Sequence, residues 1–383
     1  METRKFLDRR PGRAAEWCDM SRIAPVRSSI LLVLGACAGT PELAHNSAPS
    51  FGEPLHRFIA GVPQTGAGGS RLHNGSIDLG RERMMLGPEA WFESAPVEAG
   101  GSFDQLLMSW NVHVPQDAGV LLEVAVQGDR AWSPWLHLAD WGNVAEAGPT
   151  TRHYERGTVQ VDILHLEEDM RRARYRIRAF GVQSGDPVVV HRTTLTFTSS
   201  RELGMRFERR IPANPAAVQL SVSALSQRDA PAELSSRICS PTCVAMAMAH
   251  AGRPVSPTEV AHLVFDKEHD IYGNWVRSVQ GAFEMGVPGV LVRLSSWDAV
   301  EHFLRQGMPL IVSVKVRLGE LTGAPYGNTP GHLLMITGLD GEGGVQVNDP
   351  AASTAQDVPR TYRLDELERV WMARGGVAYL IGR

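Results

Sequence analysis

Cys239 opens the run Cys239-Ser-Pro-Thr-Cys243-Val-Ala-Met. Pro241 suits the first turn of a helix, Val244 to Ala251 is apolar helix-forming material, and Gly252 suits the helix end. The pattern predicts a helix with Cys239 at its N-terminus. There, free backbone amides and the positive end of the dipole favour the thiolate, which is the nucleophilic form. An isolated cysteine would read better as a small buried hydrophobe. About ninety residues on, however, His332 begins an apolar strand running to Gly338, Gly341 to Gly344 supply a turn, and Val345 to Asp349 supply a second strand. Antiparallel pairing across that turn brings the histidine's strand beside Asn348 and Asp349. A histidine held by a carboxylate or amide keeps one tautomer and leaves its other nitrogen for a thiol proton. Successive strand residues face opposite sides, so only one of Asn348 and Asp349 can reach the ring.

As a set these residues resemble the papain-like cysteine peptidases of the bacteriocin-processing type and their stand-alone bacterial relatives. Cys239-Ser-Pro-Thr-Cys-Val-Ala-Met is similar to that family's nucleophile motif, Gly331-His332 with its apolar strand to the base motif, and Asn348-Asp349-Pro350 to the third-residue motif. The resemblance runs from Val222 to Gly382 and includes Gly273-Asn-Trp275 and Gly307-Met-Pro309-Leu-Ile-Val312. It implies Cys239 as nucleophile, His332 as base and Asp349, by the family's Asp-Pro pattern, as the residue that orients the base. It also implies that Gln227, in Leu225-Ser-Gln-Arg, completes an oxyanion hole with the Cys239 backbone amide. The spacing of 12 from Gln227 to Cys239 is longer than in papain, so the loop between them is expected to bulge. Cys243 stands where the family has Ser and shares a helix face with Cys239. It is expected to pack behind the nucleophile; a redox latch or a metal pair is the rival reading, and zinc would want more ligands than Cys-x-x-x-Cys supplies. No cofactor or metal is expected. His250, His262, His269 and His302 read as surface or packing residues.

The implied activity is hydrolysis of a peptide or other amide. A catalytically quiet cell-envelope binding protein on the same fold, and an amide or thioester acyltransferase with the same triad, are the alternatives.

The elements that position these residues occupy only part of the 383-residue chain, whose length suits two or three domains. Hydrophobic residues at 43% and charged residues at 21% exclude both wholesale disorder and a multi-span membrane protein. A net charge of −4 gives no electrostatic reason to expect nucleic acid, and 4 cysteines are too few for a disulfide scaffold. Residues 1–37 read as a secretory signal: Arg22 and Arg27 precede a short apolar run from Ile30 to Leu34, and Leu34-Gly-Ala-Cys37 resembles a bacterial lipobox with Cys37 as the lipidated residue. Met20 is a second candidate start. The run is too short to span a bilayer, so membrane association is expected only through the lipid, with the protein exported to the cell envelope.

Residues 38–87, rich in Gly, Pro, Ser and Ala, read as a tether. Residues 88–199 contain alternating runs at 105–114, 119–126, 158–164, 173–180 and 188–197, the pattern of half-buried strands. Trp110, Trp132, Trp135 and Trp141 are expected in its core. Residues 200–221 read as a linker and 222–383 as the peptidase-like domain. The predicted fold class is therefore α+β: an N-terminal antiparallel β-sandwich followed by a papain-like domain. Oligomeric state is not legible.

Overall fold

Alternation of arginine with apolar residues shapes the first half of the chain. From Arg172 to Phe180, Ala173, Tyr175, Ile177 and Ala179 are buried while Arg174, Arg176 and Arg178 stand on the other face. This run belongs to one of ten strands in a mostly β structure, a computed structural model that describes residues 56–61, 69–144, 151–207 and 215–382. The signal with Cys37, and the tether as far as residue 55, lie outside the described residues.

Among the described residues the first sheet comprises β1 (His56–Gly61), β2 (Arg71–Asp78), β3 (Arg83–Glu93), β4 (Val97–His113), β5 (Gly119–Gln127), β6 (Leu136–Gly142), β7 (Thr151–Tyr154), β8 (Gly157–Gln160), β9 (Ile163–Phe180) and β10 (Val188–Thr198). Its strands pair antiparallel, in the order β2-β3-β10-β4-β9-β5-β6 along the main path. Hydrogen bonds link its strands into one continuous sheet, in which β3 pairs with β9 as well as with β10. The long strands β4 and β9 run through the whole domain, and β4 bends where its register against β9 shifts between Glu98 and Phe103, beside Gly100 at φ 73°.

Three boundaries differ from the sequence expectation. Residues 56–61 and 71–87, expected within the tether, form β1, β2 and the start of β3; β2 is largely exposed at the sheet edge, so it carries little apolar alternation to read. The run 158–164 is two strands, β8 and β9, turned at Val161-Asp162. The 200–221 stretch contains α1 (Ser200–Phe207) and β11 (Val218–Gln219), and β11 already pairs with the C-terminal sheet. Of the four tryptophans, Trp110 and Trp141 are buried; Trp132 and Trp135 are half-buried, with the Arg174 guanidinium 4.8 and 4.7 Å from their ring centres.

The second half consists of α2 (Cys239–His250), α3 (Pro257–Val264), α4 (Trp275–Glu284), β12 (Gly289–Arg293), α5 (Trp297–Arg305), β13 (Leu310–Val316), β14 (Thr329–Leu339), β15 (Gly344–Asn348), β16 (Pro359–Arg363), α6 (Leu364–Val370) and β17 (Val377–Ile381). Its antiparallel sheet has the order β12-β17-β13-β14-β15-β16, with β11 beside β14. Helix α2 is apolar nearly all round, and every residue from Ser240 to Met248 is buried, as suits a helix at the centre of a domain. It ends at Gly252 in the left-handed region, φ 82°.

The two halves share one hydrophobic core, which includes Trp110 and Val112 of β4 together with Val276 and Val279 of α4. Polar groups fasten the same contact. Gln280 of α4 receives the Val112 N–H at 3.0 Å and donates to the Val112 carbonyl at 2.6 Å. On β12, the N–H groups of Gly289 and Leu291 donate to Asn111 Oδ1 and Ser109 Oγ of β4 at 3.3 and 3.1 Å.

Candidate active site

Cys239 is the first residue of α2 and is partly exposed. Burial pushes its thiol pKa up, but the charge and hydrogen bond of His332 and the backbone amides of Leu333 and Ser240 outweigh that and hold it below the ordinary thiol value. His332 lies on β14 opposite Val314. Its Nε2 is 2.8 Å from Asp349 Oδ1, which leaves Nδ1 for the sulfur. Burial alone would lower the imidazole pKa; the carboxylate of Asp349 and the Cys239 sulfur raise it to about 10. The favoured state is therefore a thiolate beside an imidazolium.

Asp349 follows β15 directly and is fully buried. Its burial is offset by donors: Tyr362 at 2.7 Å and Tyr326 at 3.0 Å on Oδ2, and His332 and the Ala351 N–H on Oδ1. With the charge of His332, these hold its pKa below the ordinary carboxylate value. Burial and the negative charge of Asp349 raise both tyrosines, which keeps their hydroxyls protonated as donors. Asn348 faces the other way. Its Nδ2 is directed at the carbonyls of Ser223 and Val222, at 3.3 and 3.5 Å.

Gln227 begins a short 3-10 turn capped by Ser226. Its backbone N–H donates to the Pro350 carbonyl at 2.9 Å, tying the turn to the residue after Asp349. The side chain is buried; Nε2 donates to the Ser235 carbonyl at 2.9 Å, and Oε1 has no hydrogen-bond partner. The intervening loop thus folds back onto Gln227 through Ser235. Cys243 is fully buried one turn below Cys239, with its thiol directed at the Leu333 carbonyl at 3.4 Å. Burial, the Cys239 sulfur and Asp349 push its pKa well up, so it stays a neutral thiol.

Sequence reasoning missed Tyr326, Tyr362 and Ser240. Tyr362 sits on β16 opposite Val345 and could have been sought as a polar tip on a strand beside β15; Tyr326, in an irregular segment, left no local signal. His250 bridges the carbonyls of Ser221 and Gly307. His269 pairs with the buried Asp266 at 2.7 Å. Among the described residues no group of three or more His, Cys, Asp or Glu could hold a metal ion, and no helix is long and apolar enough to cross a membrane.

Residues 219–379 match the model of the Peptidase C39 like family, and residues 88–195 match that of the Peptidase C39 N-terminal domain. No curated protein matches the chain. Among solved structures it is similar to one described as a C39-like peptidase from Bacillus anthracis, at 17% identity over 44% of this chain and 98% of that one, TM-score 0.34. It is also similar to the peptidase domain of Streptococcus ComA, a bi-functional ABC transporter involved in quorum sensing, at 16% identity over 38% of this chain and 92% of that one, TM-score 0.30.

Proposed function

Residues 219–379 of this chain belong to the Peptidase C39 like family, and from that premise we propose that the protein is a cysteine peptidase that hydrolyses peptide bonds with Cys239, His332 and Asp349. The observation that carries the reading is the relay itself: a sulfur at a helix N-terminus, an imidazole hydrogen-bonded to it, and a buried carboxylate 2.8 Å from the imidazole's far nitrogen. In the proposed reaction the Cys239 thiolate attacks the scissile carbonyl, forming a carbon–sulfur bond while the carbonyl electrons move to oxygen. The Cys239 backbone N–H and one amide hydrogen of Gln227 stabilise that oxyanion. An amide nitrogen carries two hydrogens; Ser235 takes one from Gln227, which leaves the second for the substrate. His332 gives its proton to the leaving amine, then removes one from the water that cleaves the acyl-enzyme. Asp349 holds the imidazole and balances its charge throughout.

Treatment of the full-length protein with a peptidyl thiol-directed electrophile, followed by mass spectrometry, tests this. The expected product is a single adduct on Cys239, absent from Cys239→Ala. Labelling of Cys243 first, or of neither, rejects the reading. Export with lipid attachment at Cys37 is also part of the proposal, on the strength of the apolar run that follows Arg22 and Arg27 and the lipobox-like ending.

A further inference from the structure

A row of hydrogen bonds crosses from the β-rich half to the residue beside the nucleophile. It starts at Asp162, in the two-residue turn between β8 and β9, whose buried carboxylate accepts from Asn274 Nδ2 at 2.8 Å. The same amide group donates to Asp266 Oδ2 at 2.7 Å, so Asn274 clamps one carboxylate from each half. Asn274 is also the N-cap of α4, and its carbonyl accepts from Ser278 Oγ at 2.9 Å. Ser278 Oγ lies 2.9 Å from Ser240 Oγ, which lies 3.3 Å from the hydroxyl of Tyr379. One direction of donation satisfies every member, from Tyr379 to Ser240 to Ser278 to the Asn274 carbonyl. Asn274, Ser278, Ser240 and Tyr379 are all essentially inaccessible to solvent. Ser240 follows Cys239, and its backbone N–H points at the Cys239 sulfur.

The starting point of this row is strained. Val161 at φ 48° and Asp162 at φ 61° are both left-handed. A β-branched residue in that region is an outlier that persists only where its surroundings over-determine it. Arg277, one turn into α4, adds its charge to the same cluster, 3.7 Å from Asp266 and 4.0 Å from Asp162.

We propose that Asp162 is a positioning residue for the nucleophile: through Asn274 and Ser278 it fixes Ser240, and with it the amide that faces the Cys239 sulfur. The β-rich half is in this sense part of the active site without touching substrate. The proposal rests on Cys239 being the nucleophile.

The test uses the full chain and follows alkylation of Cys239 by iodoacetamide, by mass spectrometry, across a pH series. Asp162→Ala and Ser278→Ala should each slow alkylation near neutral pH by on the order of tenfold and move the midpoint of the profile toward that of a free thiol. The double variant should be no slower than the slower single, since both break one row. Asp162→Asn, which keeps an acceptor for Asn274, should retain most of the rate. Gln280→Ala serves as control: it cuts the Val112 clamp between the same two halves but lies off the row, and its profile should be that of the wild type. Equal shifts in Gln280→Ala and Asp162→Ala, or a wild-type profile in Asp162→Ala, overturn the proposal. Should Asp162→Ala fail to fold, a wild-type profile in Ser278→Ala does the same. A wild type that is not labelled at Cys239 rejects the nucleophile itself, which is a separate result.

Discussion

Tyr326 donates its hydroxyl to Asp349 at 3.0 Å while its ring lies tilted over His332, ring centres 4.6 Å apart. One side chain from the irregular segment 317–328 therefore both holds the anchor of the base and covers the base. Tyr326→Phe keeps the cover and loses one donor, with Tyr362 still on the same oxygen at 2.7 Å. It should lower kcat/KM several-fold, in line with about 1.5–3 kcal/mol for a hydrogen bond to a charged group, reduced here by the second donor. Tyr326→Ala should cost clearly more. Equal losses in the two variants, measured on one peptide substrate, would mean that the ring contributes nothing.

Asp349 and Asn348 separate function from folding. Asp349→Ala should lower kcat by roughly a hundredfold to ten-thousandfold, the span of general-base contributions. Asn348→Ala breaks contacts to Ser223 and Val222 instead, and should lower unfolding free energy by about 1 kcal/mol with kcat largely kept. Paired turnover and denaturant curves decide between this ranking and its reverse.

Cys239→Ala should abolish turnover. Cys243→Ser should retain most of it, because the serine hydroxyl can donate to the same Leu333 carbonyl. Equal loss of activity in both would restore the paired-cysteine reading.

The thiolate–imidazolium pair sets the pH profile. Activity should rise through the lowered Cys239 pKa, hold a plateau, and fall as His332 loses its proton near pH 10. Stability follows with a definite sign. His332 is raised from an ordinary 6.5 to about 10, so its contribution is complete below pH 6.5 and lost as pH rises through about 10. Asp349 is lowered from 3.8, so its contribution is present above that value and lost as pH falls through its folded pKa. Denaturant unfolding across this range should show stability falling on the alkaline side in wild type and a shallower fall in Asp349→Ala; a steeper fall in the variant contradicts the linkage.

For Cys37, fractionation is decisive. Wild type should sediment with membranes and Cys37→Ala should be released from them; wild type wholly in the cytosol would mean that the first residues carry no export signal.

Much of the site was readable in one dimension because its parts are local. The helix start at Cys239 is marked by Pro241, and the His332 hairpin by its Gly-rich turn. Strand alternation lets only one of Asn348 and Asp349 reach the ring, and the resemblance to the family's Asp-Pro pattern selects Asp349. What could not be read depends on tertiary contact. Val161-Asp162 turns the chain without Asn or Gly, so the run from Thr158 to Leu164 passes for a single strand. Ser240 and Ser278 are ordinary helix residues until α2 and α4 cross. Edge strand β2 has too few buried positions to show a period.

The amides of Gly289 and Leu291 on β12 end on Asn111 and Ser109 of β4. β12 is the last strand of its sheet, and an unpaired edge is a template on which a second copy can add a strand. The C-terminal half expressed alone would present those amides to its neighbours in solution, and self-association through β12 would compete with correct folding. Side chains from the first half close that edge without extending the sheet. They do for this strand what a chaperone does for a client, from within the same polypeptide.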